Sequence, residues 1–172
     1  MTDWDTIVTE HAPAVWRTAY RLLSNEADAS DCMQEAFVSA VGVARREAVR
    51  DWPALLKRLA TTRALDRLRA RMRESARRGP PVDMAALADG DSGPERRSER
   101  RELSGRVRQA LGRLPGRQAE VFCLRFLSGM SYTEIADHLG LRRSNVGVLL
   151  HRARSKLRKM LAEVAEAQER PG

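Results

Sequence analysis

Cysteine, histidine and lysine are all scarce in this chain, and each scarcity narrows what it does. The two cysteines, Cys32 and Cys123, lie far apart with no C-x-x-C spacing, so neither a zinc ribbon nor a disulfide framework is supported. Both are expected to be buried thiols in a reducing cytoplasm. The three histidines, His11, His138 and His151, are too scattered for a metal site or an acid/base pair, and no H-E-x-x-H, Walker or G-x-G-x-x-G pattern occurs. No catalytic residue, metal ligand or cofactor is therefore expected, and an enzyme is disfavoured. Long apolar runs are missing too. Without a signal-peptide core or a stretch of membrane-spanning length, the chain reads as soluble and cytoplasmic, with no direct membrane insertion.

What is abundant is arginine, which supplies nearly all of the 31 Lys+Arg in 172 residues, for a net charge of +8 and a pI near 10.6. Such a balance points to a polyanionic partner. The charge is unevenly laid out. Residues 1–40 carry two arginines against seven acids, whereas residues 41–78 carry twelve basic residues against four acids. Residues 102–172 hold thirteen basic residues against seven acids. The length suits two small domains or one of ordinary size.

Apolar spacing reads as helix nearly throughout. Trp4 to Leu23 forms a first amphipathic helix, with an interruption expected near Pro13. A second begins around residues 27–31, where acids suit the positive end of the helix dipole. It places Cys32, Ala36, Val38, Ala40 and Val41 among its apolar positions and Asp31, Gln34 and Glu35 on an exposed acidic side. Residues 42–53 read as a basic loop carrying Arg45, Arg46 and Arg50, ending with Trp52 just before a proline. A third long helix follows to about Arg73, its second half crowded with Arg63, Arg67, Arg69 and neighbouring arginines, a surface suited to neutralising phosphates. Trp52, opening that helix, is read as core rather than as a base-stacking platform. Residues 75–101, with three prolines, three glycines and little apolar periodicity, read as a linker. Beyond it, Leu103, Val107, Ala110, Leu111 and Leu114, then Ala119, Val121, Phe122, Leu124, Phe126 and Leu127, give two helices that form a core. After Leu161 the tail EVAEAQERPG loses its apolar stripe and is expected to fray.

The most informative stretch is SYTEIADHLGLRRSNVGVLLHRARSKL, Ser131 to Leu157. Ser131 and Glu134 have capping-box spacing, Gly140 follows the short helix as a residue tolerant of a left-handed turn, and Val146, Leu150, Ala153 and Leu157 stripe a second helix. These are the parts of a helix-turn-helix. Arg142, Arg143, Ser144, Asn145, Val148, His151 and Arg152 fall at the start and along the free faces of the second helix, as a major-groove reader requires. A basic helix on its own is usually only solvated; here the cap, the turn, the stripe and the basic face agree.

With these residues placed, the chain resembles an extracytoplasmic-function (group 4) sigma factor of bacterial RNA polymerase over almost its full length. DASDCMQEAF at Asp28–Phe37 is similar to the family's D-x-x-Q-E-x-F signature. DWPALLKRLATTRALDRLR at Asp51–Arg69 resembles its W-L-x-x-I-A-x-N-x-x-x-D-x-x-R helix, and Leu111–Gly140 with Leu149–Arg158 resembles sigma domain 4. The resemblance implies an all-α fold of two small helical domains joined by a flexible linker: sigma domain 2 over residues 1–74, the linker over 75–101, sigma domain 4 over 102–164 and a disordered tail over 165–172.

The resemblance also implies roles. Asp31, Gln34 and Glu35 fall where the family docks on the clamp helices of the polymerase β′ subunit, and domain 4 is expected at the β flap. The loop near residues 44–51 takes the role of holding a base flipped from the -10 element. Arg45, Arg46, Arg50, Thr62, Arg63, Arg67 and Arg69 are the expected -10 surface. Arg142, Arg143, Ser144, Asn145, Val148, His151 and Arg152 are the expected -35 surface. An anti-sigma factor is an expected partner. Two positions depart from the family pattern. Thr62 stands in place of the usual Asn, and Gly147 and Val148 stand where a basic and a hydroxyl side chain often meet the -35 bases. Readout is expected to shift to Arg142, Arg143, Asn145 and Arg152, with Val148 against a thymine methyl. The competing reading, a stand-alone helix-turn-helix regulator, leaves the acidic helix without purpose, and a purely protein-binding adaptor leaves the basic surface without one.

Overall fold

A computed structural model describes residues 2–78 and 94–169, the side chains of residues 94–97 and 167–169 excepted. Every regular element among the described residues is a helix: α1 Trp4–Leu23, α2 Glu26–Ala44, α3 Trp52–Arg78, α4 Pro94–Arg113, α5 Gly116–Phe126, α6 Tyr132–Leu139 and α7 Arg143–Glu169.

Side-chain caps set several of the boundaries. Asp3 caps α1 by accepting from the Thr6 backbone N–H at 3.2 Å, and Asn25 caps α2 by accepting from the Asp28 N–H at 2.9 Å. Between them Ser24 takes a left-handed conformation, φ 48°, and its N–H closes on the Tyr20 carbonyl at 2.7 Å. Asp51 accepts from the Ala54 N–H at 2.9 Å, so α3 starts at Trp52 under an aspartate cap.

Several expectations are corrected here. α1 runs unbroken through Pro13. The basic loop is shorter than expected, because α2 continues to Ala44 and α3 begins at Trp52. Residues 75–78 and 94–101 of the expected linker are helical, as are residues 165–169 of the expected disordered tail. Residues 79–93 and 170–172 lie outside the described residues. Pro94 opens α4, where a missing N–H costs nothing. Val38, Leu103 and Phe126, read as apolar-face residues, are exposed.

α3 is the spine. One side packs with α1 and α2, burying Ile7, Val15, Ala36, Ala40, Leu55, Leu56 and Ala60. Farther along, Ala64, Leu65 and Leu68 share a second core with Ala19 and Leu22 of α1, Cys32 of α2, and Ala110, Leu111, Leu114, Ala119, Cys123, Ala153 and Leu157 of the C-terminal half. A third cluster, Val121, Leu124, Met130, Ile135, Leu139, Val146 and Leu150, seats the helix-turn-helix, with Ala54 of α3 against it. The two halves therefore pack on one another through α3. Polar contacts reinforce this: Arg69 donates from Nε to the Gly112 carbonyl at 3.3 Å and from Nη2 to the Leu114 carbonyl at 3.1 Å. Arg58 donates to the His138 carbonyl at 3.2 Å, the Thr62 hydroxyl lies 3.3 Å from Glu120 Oε1, and Arg21 donates to the Leu127 carbonyl.

Both cysteines are buried and free, as expected. Burial raises the Cys32 pKa and pushes that of Cys123 up to about 12, so both are neutral thiols at physiological pH.

Candidate nucleic-acid interface and acidic docking face

The helix-turn-helix is built as its sequence signals require. Ser131 Oγ accepts from the Glu134 N–H at 3.1 Å, and Glu134 Oε2 accepts from the Ser131 N–H at 2.6 Å, which completes the capping box. Those bonds to the charged form hold the Glu134 carboxyl below its usual range. Gly140 ends α6 at φ 62°, where a side chain would be strained, and its N–H reaches the Ala136 carbonyl. Arg125 of α5 lies over the Tyr132 ring, 5.6 Å from its centroid, tying the start of α6 to the helix beneath.

α7 divides cleanly into two faces. Val146, Leu150, Ala153 and Leu157 are buried. Arg142, just before the helix, and Arg143, Ser144, Asn145, Val148, His151 and Arg152 are all exposed, so the structure brings together every residue expected at the -35 element. Asn145, Val148 and Arg152 succeed one another at three and four residues and form one ridge. Val148 is 48% exposed in the middle of a polar surface, as a thymine-methyl contact requires.

The residues expected at the -10 element do not form one surface. Arg45, Arg46 and Arg50 are exposed on the loop, and Arg63 is exposed on α3. Beside the loop lies a cavity of about 340 Å³ lined by residues of the loop and of the N-terminus, among them Thr2, Asp3, Thr6, Glu47, Val49 and Trp52. Trp52 is half-buried, edge-on to Trp4 with centroids 5.2 Å apart, so it is a core side chain with one edge on that cavity. Thr62 and Arg69 are taken up by contacts with the C-terminal half. Arg67 faces α2 instead.

On α2, Asp31, Gln34, Glu35 and Val38 are exposed on one face, with Val38 73% accessible. These four, with Ser39 and Arg63, line an open groove of about 370 Å³. Arg67 Nη1 lies 3.3 Å from Asp28 Oδ1 and 3.0 Å from Asp31 Oδ2, and Nη2 lies 2.9 Å from Glu35 Oε1. Arg71 pairs with the other oxygen of Asp28. Burial by itself would lower the Arg67 pKa, but the bond to Asp31 and the charges of Glu35 and Asp31 outweigh it and the net shift is upward. Asp28 and Arg71 are neighbours of this face that sequence reading left out of the candidate site. Their spacing on two helices was visible, but not which faces of those helices meet.

Among the described residues no group of His, Cys, Asp or Glu is arranged to hold a metal, and no helix is long and apolar enough to cross a membrane. Two sigma-70 families match the chain, region 2 over residues 7–74 and region 4 over residues 104–157. ShbA, an extracytoplasmic-function sigma factor of Streptomyces griseus, is 30% identical over 76% of this chain and 70% of its own length. The chain belongs to the extracytoplasmic-function sigma factors.

Among its relatives is the extracytoplasmic-function sigma factor SigE of Mycolicibacterium smegmatis, 35% identical over 95% of this chain and 63% of its own length. This sigma factor thus spans under two thirds of that relative. SigW of Bacillus subtilis is 29% identical over 92% of this chain and 88% of its own length. The solved structure of CnrH in complex with the cytosolic domain of CnrY superposes with a TM-score of 0.59 at 26% identity, covering 92% of this chain and 87% of that one. The all-α fold and the two sigma-70 domains are thereby shown.

Proposed function

We propose that this sigma factor binds core RNA polymerase and directs it to promoters bearing -10 and -35 elements. In this role the Asp31, Gln34 and Glu35 face of α2 docks on the β′ clamp helices, and the second domain lies at the β flap. The arrangement of α7 carries the reading. Six side chains expected at the -35 element share the solvent side of a helix whose opposite stripe is buried, and the seventh, Arg142, is exposed just before it. The exposed arginines of the loop and the adjoining cavity support a role in holding a flipped -10 base. Such a subunit selects and opens DNA without making or breaking covalent bonds, so no enzymatic activity belongs to it, and its place of work is the cytoplasm.

An anti-sigma factor is the second proposed partner. CnrH, which shares this fold, is bound in its solved structure by the cytosolic domain of CnrY. Run-off transcription with core polymerase on a linear double-stranded promoter tests the function. Product that requires this protein supports the reading. Promoter binding without product, or repression of transcription by another sigma factor, identifies a stand-alone helix-turn-helix regulator instead.

A further inference from the structure

Three arginines of α3, Arg63, Arg67 and Arg71, recur every four residues and face α2. Opposite them α2 presents Asp28, Asp31, Glu35 and Ser39. Arg71 pairs with Asp28, Arg67 joins Asp28, Asp31 and Glu35, and Arg63 donates to Ser39 Oγ at 3.1 Å. Arg67, the middle rung, is less exposed than the two outer acids it joins. The Arg67 side chain is 26% accessible, against 59% for Asp31 and 45% for Glu35. The cation therefore lies inside Asp31 and Glu35 and at about the depth of Asp28, whose side chain is 21% accessible.

We infer that Arg67 is a positioning residue of the polymerase-docking face and does not contact -10 DNA. This deepens the sigma-factor reading and rests on it. Each of Asp31 and Glu35 spends one oxygen on Arg67 and keeps the other for a partner. Three carboxylates within reach of one guanidinium would otherwise repel and splay, and ordering flexible side chains at the moment of binding costs affinity. Holding them in advance removes that cost. A phosphate approaching Arg67 meets the outer carboxylates first and must displace three ion pairs, so this arginine is a poor backbone contact. The partner fitted by the face is cationic: basic side chains that reach the free oxygens of Asp31 and Glu35, with an apolar group over Val38 in the adjoining groove.

The test uses the full chain and purified bacterial core polymerase. Affinity for core is measured across a salt series for Arg67→Lys and Arg67→Ala, and promoter opening is then read by permanganate footprinting at saturating sigma. Arg67→Lys keeps the charge but not the planar fork that bridges three acids. Both variants are expected to bind core roughly tenfold more weakly and to open promoter DNA normally once saturated. Combining Arg67→Lys with Asp31→Asn and Glu35→Gln should give less than the summed loss, because the arginine acts through those acids. Unchanged or tighter core binding, additive losses, or a melting defect at saturation each overturn the inference. If Asp31→Asn with Glu35→Gln leaves core affinity intact, the docking reading itself fails. If that pair weakens binding and the Arg67 variants do not, only the positioning role fails.

Discussion

Asn145 sits at the centre of the readout question. Its side chain is exposed at the start of α7, on the ridge it shares with Val148 and Arg152, and an amide there can bond an adenine through both its donor and its acceptor. Replacing Asn145 with Ala is expected to flatten base preference at one -35 position by about 1–3 kcal/mol. A base-by-base substitution series in the -35 element checks this. Equal weakening of every sequence would make Asn145 a backbone-positioning residue instead. The placement of the α7 side chains was legible beforehand because a short capped helix with a periodic stripe fixes which of them are free. Arg67 and Arg69 were not. Both belong to an arginine-rich run whose members look alike in sequence, and only packing reveals that Arg67 turns to α2 and Arg69 to α4 and the turn after it.

Element boundaries show the same division. The start of α6 and its glycine stop could be read directly, since Ser131, Glu134 and Gly140 act through bonds only a few residues long. α4 was harder to place. Its first two turns carry charge and no apolar period, with Leu103 exposed, so nothing in the pattern separates them from a linker. The capping box makes a prediction of its own. Ser131→Ala is expected to cost about 1 kcal/mol in urea unfolding near neutral pH. Because the folded Glu134 carboxyl is held below its ordinary pKa of 4.5, its contribution is complete above that value and is lost as the pH falls through the carboxylate range. Wild type and Glu134→Gln should therefore converge in stability at low pH. A gap that widens on acidification would contradict the capping assignment.

On the scale of the whole molecule, the two halves share a core along α3, and Arg69 grips the end of α4 and the start of the turn to α5. Two residues expected at the -10 element, Thr62 and Arg69, are engaged by the second half in this arrangement. Thr62 is nonetheless exposed, whereas Arg69 reaches DNA only by releasing its bonds to the second half. Arg69→Ala removes two charge-assisted bonds and is expected to weaken the closed arrangement by about 1–3 kcal/mol. Energy transfer between dyes on α1 and α7 should fall relative to wild type; transfer equal to wild type would show that apolar packing alone holds the halves together. Sequence reading found two helical units but not their contact, because an interface between units leaves no periodicity distinct from that of each unit's own core.

The division of labour is the claim on which the rest stands: acidic α2 holds the polymerase while α7 reads promoter DNA. Its most direct test is the affinity of the purified full chain for core polymerase, before and after Asp31, Gln34 and Glu35 are all replaced by lysine. The account predicts firm association for the wild type and its loss in the triple variant, with binding of -35 DNA by α7 retained. Equal association of the two proteins with core polymerase would contradict it.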